Sequence, residues 1–294
     1  MMISTIIEGL IFSVMVLGVY ISYKILDFPD LTVDGSFVLG AAVLSSGLIK
    51  GLPLSVTLIL TILAGSLAGF ITGYIHTKFE ITNLLSGILV MIGLYSINLR
   101  VMGRANVNLF SVEHLFSGGH ELLIIICIIV GIKVMIDYFF MTKIGFLVRL
   151  VGDNATLIES LGMDDKKYKI MGLMLSNALV ALSGGLLAQY QGYSDISMGT
   201  GMLIIGLASI ILGETVFKKF SRVKLTTAAI VGSVAYRYVL AFSLKLGFAP
   251  GDLKLLTAVI LLGILVLNKK GINIPEFSFK RVNEVKSTCS NLEI

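Results

Sequence analysis

Charge is what this sequence has least of. Only 14% of its 294 residues are charged, where an ordinary soluble domain carries about 25%. A soluble globule of this length needs polar surface to face water, and a mean hydropathy of +0.94 leaves too little of it. That excludes a soluble enzyme, a nucleic-acid binder and a disordered chain. Tryptophan is absent and there are two cysteines, Cys127 and Cys289. Two cysteines give no framework, and neither a metal site nor a disulfide is expected. The three histidines, His76, His114 and His120, fall at span ends or in loops. A dense relay of acids and histidines, as a proton-driven pump would need, is therefore missing. The four prolines, Pro29, Pro53, Pro250 and Pro275, interrupt no apolar run, as the disruption by proline inside a helix requires.

What is present is a series of apolar runs, each near the roughly 20 residues needed to cross about 30 Å of hydrocarbon. They lie at 2–22, 33–49, 53–76, 82–99, 121–140, 170–190, 202–217, 225–246 and 252–268. The fold class is an all-α, polytopic membrane protein of about nine transmembrane helices. Residues 1–268 form the transmembrane domain and 269–294 a polar cytosolic tail. The first run has no basic leader and no small-residue cleavage pattern, so it reads as a retained span. Basic residues gather in alternate connections: at Lys24, at Lys78, between Lys143 and Lys169, between Lys218 and Lys224, and from Lys269 onward. The opposite connections hold Lys50, Arg100, Arg104, Lys245 and Lys254. The positive-inside rule then places the C-terminus in the cytosol and the N-terminus outside. The net charge of +5 is thereby topology and gives no sign of a nucleic-acid partner.

Polar residues inside the runs are few. Gly65, Gly69 and Gly73 form a small stripe on which a neighbouring helix can pack, within the chain or in a homodimer. Lys133 and Asp137 lie four apart and can pair. Glu8 sits near the outer end of the first run. Arg237 stands between Tyr236 and Tyr238, as a pathway residue or as a buried anchor. Two short runs, 33–49 and 202–217, are each preceded by the same pattern. Asp30-Leu-Thr-Val-Asp34-Gly35 and Asp195-Ile-Ser-Met-Gly199 both read Asp, aliphatic, hydroxyl, aliphatic, then glycine. In the assigned topology they face opposite ways, as in an inverted repeat with broken or late-starting helices. The longest inside connection, 141–169, contains Asn154 as a helix cap and Gly162 as a helix stop. Leu157 and Leu161 are expected on one face, with Ile158 beside them. The segment reads as an interfacial helix or a knob that docks into a partner.

The run Gly145, Arg149-Leu-Val-Gly152-Asp153-Asn154 and Leu161-Gly162-Met163 resembles the cytosolic signature of permease subunits of ATP-binding-cassette importers. The type is that of branched-chain amino acid and ribose permeases. Leu31-Thr-Val-Asp34-Gly35-Ser36, the stretch 172–192 and the stretch 198–214 are similar to one subgroup, found beside tryptophan- or tyrosine-like solute-binding proteins. The resemblance covers about residues 28–268, although Leu150-Val151 departs from the small residues expected there. It implies a multi-pass subunit in the cytoplasmic membrane, a permease homodimer or a pair of like subunits, and two ATPase subunits that carry the ATP and magnesium, with no catalytic residues in this chain. It also implies an extracellular or periplasmic solute-binding protein delivering substrate to loops 100–120, 191–200 and 246–252. The helix at 154–162 becomes an ATPase-coupling helix, with Gly152, Asp153, Asn154, Glu159, Leu161 and Gly162 as its candidate residues. Candidate path residues are Asp34, Gln189, Gln191, Ser197 and Arg237. The cargo is expected to be a small polar solute, an amino acid, with an aromatic one suggested by the subgroup. The alternatives are a stand-alone secondary transporter, which needs intramembrane acids or ion ligands, and a non-transport scaffold, which needs no broken helices.

Overall fold

The computed structural model describes residues 2–247, apart from 111, 113–114, 117–118, 161 and 218–223, and a few positions between 252 and 263. Most of the ninth apolar run and the whole tail 269–294 therefore lie outside the described residues. Among the described residues up to 247, ten helices follow in order: α1 Met2–Val19, α2 Thr32–Ile49, α3 Leu54–Phe79, α4 Asn83–Met102, α5 Glu121–Phe139, α6 Lys143–Asp153, α7 Ala155–Ser160, α8 Asp165–Gln191, α9 Met202–Phe217 and α10 Leu225–Lys245. A π-helical turn, Tyr20–Ile25, prolongs α1. Seven of these helices are long and apolar enough to cross a membrane, and α9 is a shorter apolar helix. The protein is an all-α polytopic membrane protein.

Helices α1, α2 and α8 form the centre. Their apolar residues run all round, as a helix enclosed by others requires. Ile11, Val14, Met15, Leu17, Phe37, Leu44 and Leu173 are fully buried. Helices α3, α4 and α5 instead leave Ile59, Leu63, Ile92, Leu123 and Val134 exposed, the surface expected of helices against lipid. The close approaches use glycine. Gly65, Gly69 and Gly73 of α3 lie against Asn177, Leu173 and Ile170 of α8, so the glycine stripe is spent on packing within the chain. Gly40 and Gly184 let α2 and α8 touch backbone to backbone at Ala181 and Phe37.

The contacts set the helices' relative depth. Helix α1 runs antiparallel to α8: the Ser176 hydroxyl donates to Gly18 O and that of Ser183 to Ile11 O, both at 2.8 Å. Helix α2 runs parallel to α8, with Asp30 beside Asn177 and the hydroxyls of Ser194 and Ser45 at 3.0 Å. Asn177 lies twelve residues into α8, roughly 18 Å at 1.5 Å per residue. The chain therefore travels to the far end of α1, turns back through 26–31, and starts α2 well inside the bundle.

The second half repeats this in reverse. After α8 the strand β2, Tyr193–Asp195, pairs antiparallel with β1, Asn106–Asn108. Residues 196–201 then descend to Asp34, where α9 begins. Helix α9 runs away from α2, passing Val19 at Gly206 and ending near Lys24, which bridges Glu214 at 3.0 Å. Partners are exchanged between the halves: α3 packs on α8, whereas α10 packs on α1 through Gly9 and Val234. The β1–β2 pair marks one end of the bundle, and α6 and α7 mark the other.

Candidate functional site

Two places gather the residues singled out in the sequence. The first lies where α2, of 18 residues, and α9, of 16, meet by their N-termini. A helix N-terminus leaves backbone N–H groups without partners and carries partial positive charge. Asp34, in the first turn of α2, answers both needs across the gap. Its Oδ2 accepts from Gly201 N at 2.8 Å and its Oδ1 from Leu203 N at 3.0 Å. Gly199 lets the descending turn press on the Asp34 carbonyl, where a Cβ would collide. Asp34 thus belongs to both breaks.

Below it lies a buried polar group that the sequence pattern did not bring together. Asp30 is fully buried. Its Oδ1 caps Thr32 N at 2.9 Å, and its Oδ2 accepts from Asn177 Nδ2 at 2.8 Å. The hydroxyls of Thr32 and Thr72 meet at 2.7 Å, and Asn98 donates to Gly35 O at 3.1 Å. Asp30, Asn177, Thr72 and Asn98 come from four separate segments. Three of the four stand in apolar runs, and only spatial contact marks them as a set.

The remaining path candidates do not converge on Asp34. Gln189 is buried and accepts from Leu115 N at 2.9 Å. Gln191 is half-buried at the end of α8. Ser197 is exposed beside Asp195, which accepts from its hydroxyl and, at 2.8 Å, from its N–H. Those bonds, with the amide of Asn106 at 3.0 Å, hold the Asp195 carboxyl below its usual range. Arg237 lies apart on α10, paired with Glu8 at 3.1 Å. The anchor expected from carbonyls and tyrosines is thus a carboxylate. Lys133 and Asp137 pair as their spacing requires, at 2.9 Å, and Asp137 also bridges Lys224 at 3.1 Å.

The second place is the far end. Asn154 caps α7 as expected, its Oδ1 accepting from Leu157 N at 3.2 Å and from the Thr156 hydroxyl at 2.6 Å. Gly162 follows with φ +73°, a left-handed stop. The anchoring face differs from the expectation. Ile158 is fully buried and Leu157 is 44% exposed, so one isoleucine seats the helix and Leu157 is presented. Leu161 lies outside the described residues, as does the side chain of Glu159. Asp153 is exposed. Gly152 has a packing role, since a Cβ there would strike Ile25 O. Helix α6, formed within the connection 141–169, carries Gly152 to that contact. It is capped by Thr142, whose hydroxyl accepts from Gly145 N at 3.2 Å. Among the described residues no three His, Cys, Asp or Glu side chains converge as a metal ion would require.

Residues 1–267 match the family model described as branched-chain amino acid transport system / permease component. The sequence is 47% identical over 284 residues to the tyrosine transport system permease protein of Clostridioides difficile (strain R20291), covering 96% of each chain. It is 35% identical over 261 residues to an uncharacterized protein of Rickettsia prowazekii (strain Madrid E), covering 86% of this chain and 92% of the other. The solved structure of PsaBC from Streptococcus pneumoniae in complex with Fab is 14% identical. It covers 80% of this chain and 88% of its own with a TM-score of 0.36, too low to bear on the fold.

Proposed function

Since the chain belongs to the family of branched-chain amino acid transport system permease components, we propose that it is the membrane subunit of an ATP-driven uptake system for an amino acid with an aromatic side chain. The tyrosine permease relative, similar over nearly the whole length, supports that cargo class. In this reading the chain catalyses no covalent step. ATP and magnesium are bound by separate ATPase subunits, a solute-binding protein delivers the cargo, and two permease chains flank the path. The α6–α7 end, with Lys143, Arg149, Lys166, Lys167 and Lys169 around it, is cytosolic, and the β1–β2 end faces outward.

The observation that carries the reading is α7. It is capped at both ends, seated by the buried Ile158, and presents Leu157 beyond the bundle. A short rigid helix of this kind passes a push from a docked ATPase into the bundle as a body. Asp153, Asn154, Glu159, Leu161 and Gly162 shape that contact, and Gly152 fastens its base to the end of α1. The push reaches α9 through the same region, because Lys24 of the π-helical turn bridges Glu214. Helix α9 is hinged at its other end by Asp34, so a tilt there opens or closes the inner half of the path. Asp34, Gln189, Gln191 and Ser197 then lie along the route of the cargo.

Leu157→Arg tests this directly, since the side chain is exposed and the change leaves the core intact. In proteoliposomes holding the complete system, ATP-driven uptake should fall at least tenfold while the permease elutes and melts as wild type. Unchanged uptake with unchanged solute-stimulated ATP hydrolysis would show that α7 is no ATPase contact.

A further inference from the structure

One charged pair inside the spans is left over from this account. Glu8 of α1 and Arg237 of α10 meet at 3.1 Å. The helices are drawn together there by Gly9 against Val234 and by the Ser233 hydroxyl donating to Gly9 O at 2.8 Å. Both residues stand in the interior of apolar helices, about a third of the way in from the end that carries β1 and β2.

Three observations separate this pair from a bridge that only fastens two helices. The side chains are not sealed: Glu8 keeps 30% and Arg237 21% of its exposure. Charge open to hydrocarbon is strongly unfavourable, so that face calls for water or a polar occupant. The guanidinium is also under-used. Arginine offers five N–H donors in a fixed fork suited to a carboxylate. Among the described residues Arg237 Nε is buried with no hydrogen-bond partner, and the group lies 4.0 Å from the centre of the Phe12 ring. Finally, a cleft of about 150 Å³ opens one helical turn from the pair, lined by Met2, Thr5, Tyr238, Ala241, Phe242 and Lys245. Thr5 is three residues from Glu8 and Ala241 four from Arg237, so cleft and pair share one face of each helix.

We propose that Glu8, Arg237 and this cleft form a subsite for a free α-amino acid. The carboxylate lies on Arg237, the ammonium on Glu8, and an aromatic side chain between Tyr238 and Phe242. In the empty site each protein charge serves the other as a stand-in for the ligand. A zwitterion carries both charges and replaces both partners in one exchange, so no charge is left alone. An analogue with only one charge leaves the second protein group unpaired in a poorly solvating surrounding, which is strongly unfavourable. The subsite adjoins the meeting point of α2 and α9. Phe12 under Arg237 stacks on Phe37 with ring centres 5.9 Å apart, and Phe37 is three residues along α2 from Asp34. This proposal rests on the reading of the chain as an amino-acid permease.

The test is equilibrium binding of tritiated L-tyrosine, L-phenylalanine and L-tryptophan to the permease–ATPase complex in lipid nanodiscs, without the solute-binding protein. Saturable binding of at least one is expected. Competition by the matching amine, which lacks the carboxylate, and by the matching desamino acid should each be at least tenfold weaker than by the amino acid. Binding should fall at least tenfold in Glu8→Gln with Arg237→Gln. Absence of saturable binding for all three, equal competition by either analogue, or wild-type binding in the neutral pair would overturn the proposal. So would restored binding in the exchanged pair Glu8→Arg with Arg237→Glu, because exchange preserves a helix bridge and reverses the charges offered to the ligand. The analogue comparison uses the wild-type protein and so stands even if a variant fails to fold. Separately, failure of the complete wild-type system to take up any amino acid would sink the broader reading. Uptake without charge-pair-dependent binding would sink this subsite alone.

Discussion

Asp34 is the residue on which the two halves of the bundle depend most visibly. Its two oxygens accept from Gly201 N and Leu203 N. Removing the carboxylate takes this acceptor from two partly buried donors, a loss of about 1–3 kcal/mol for each such group. Asp34→Ala should therefore lower the melting temperature in detergent by several degrees, whereas Asp34→Asn, which keeps one acceptor, should lower it less. Equal melting of the alanine variant and the wild type would remove the carboxylate from its role as a shared cap. The sequence pattern matched Asp30 with Asp195 as equivalent positions. Contact shows a different division of labour: Asp34 crosses to the second break, Asp30 turns inward to Asn177, and Asp195 stays in the β1–β2 region with Ser197. Spacing along the chain carries no depth, and depth decides which carboxylate meets which helix end.

At the scale of elements, span length and hydrophobicity were enough to find α1 to α5 and α8 to α10, because each run exposes its own statistics. Helix α6 was missed for a physical reason. It is 11 residues long, too short for a spanning criterion, and its polar face breaks the apolar run. Helix α7 was recognisable from Asn154 and Gly162, which act locally. Its anchor was not, because whether Ile158 or Leu157 points inward depends on what lies beneath. The glycine stripe of α3 left two partners open, and only the three-dimensional contacts assign it to α8. That assignment predicts position-specific tolerance. A Cβ at Gly69 would collide with Leu173, whereas Gly93 of α4 has nothing within 4 Å. Gly69→Val should destabilise the permease by about 1–3 kcal/mol or more, and Gly93→Val should be nearly neutral in the same melting assay. Equal loss at both positions would contradict the α3–α8 packing.

At the scale of the whole molecule, scarcity of charge is itself the organising fact. With few charged side chains available, those deepest in the spans are paired across or along helices: Glu8 with Arg237, Lys133 with Asp137, which Lys224 also bridges, and Lys24 with Glu214. Lys143, Arg149, Lys166, Lys167 and Lys169 cluster at the α6–α7 end and, in the proposed orientation, fix the inside. The three central helices provide a firm core, while α9 is short, bridged at one end and capped at the other. Such an arrangement suits a part that tilts between two positions, and it supplies no source of energy for the tilt. The central claim is that the energy comes from ATP hydrolysed by a partner. The most direct measurement is uptake of tritiated L-tyrosine, L-phenylalanine and L-tryptophan into proteoliposomes containing this permease, its ATPase and its solute-binding protein. The account predicts accumulation of at least one of them above the outside concentration with ATP and magnesium supplied to the ATPase side, and none with a non-hydrolysable analogue. Accumulation by the permease alone, driven by an ion gradient without the ATPase, would contradict it.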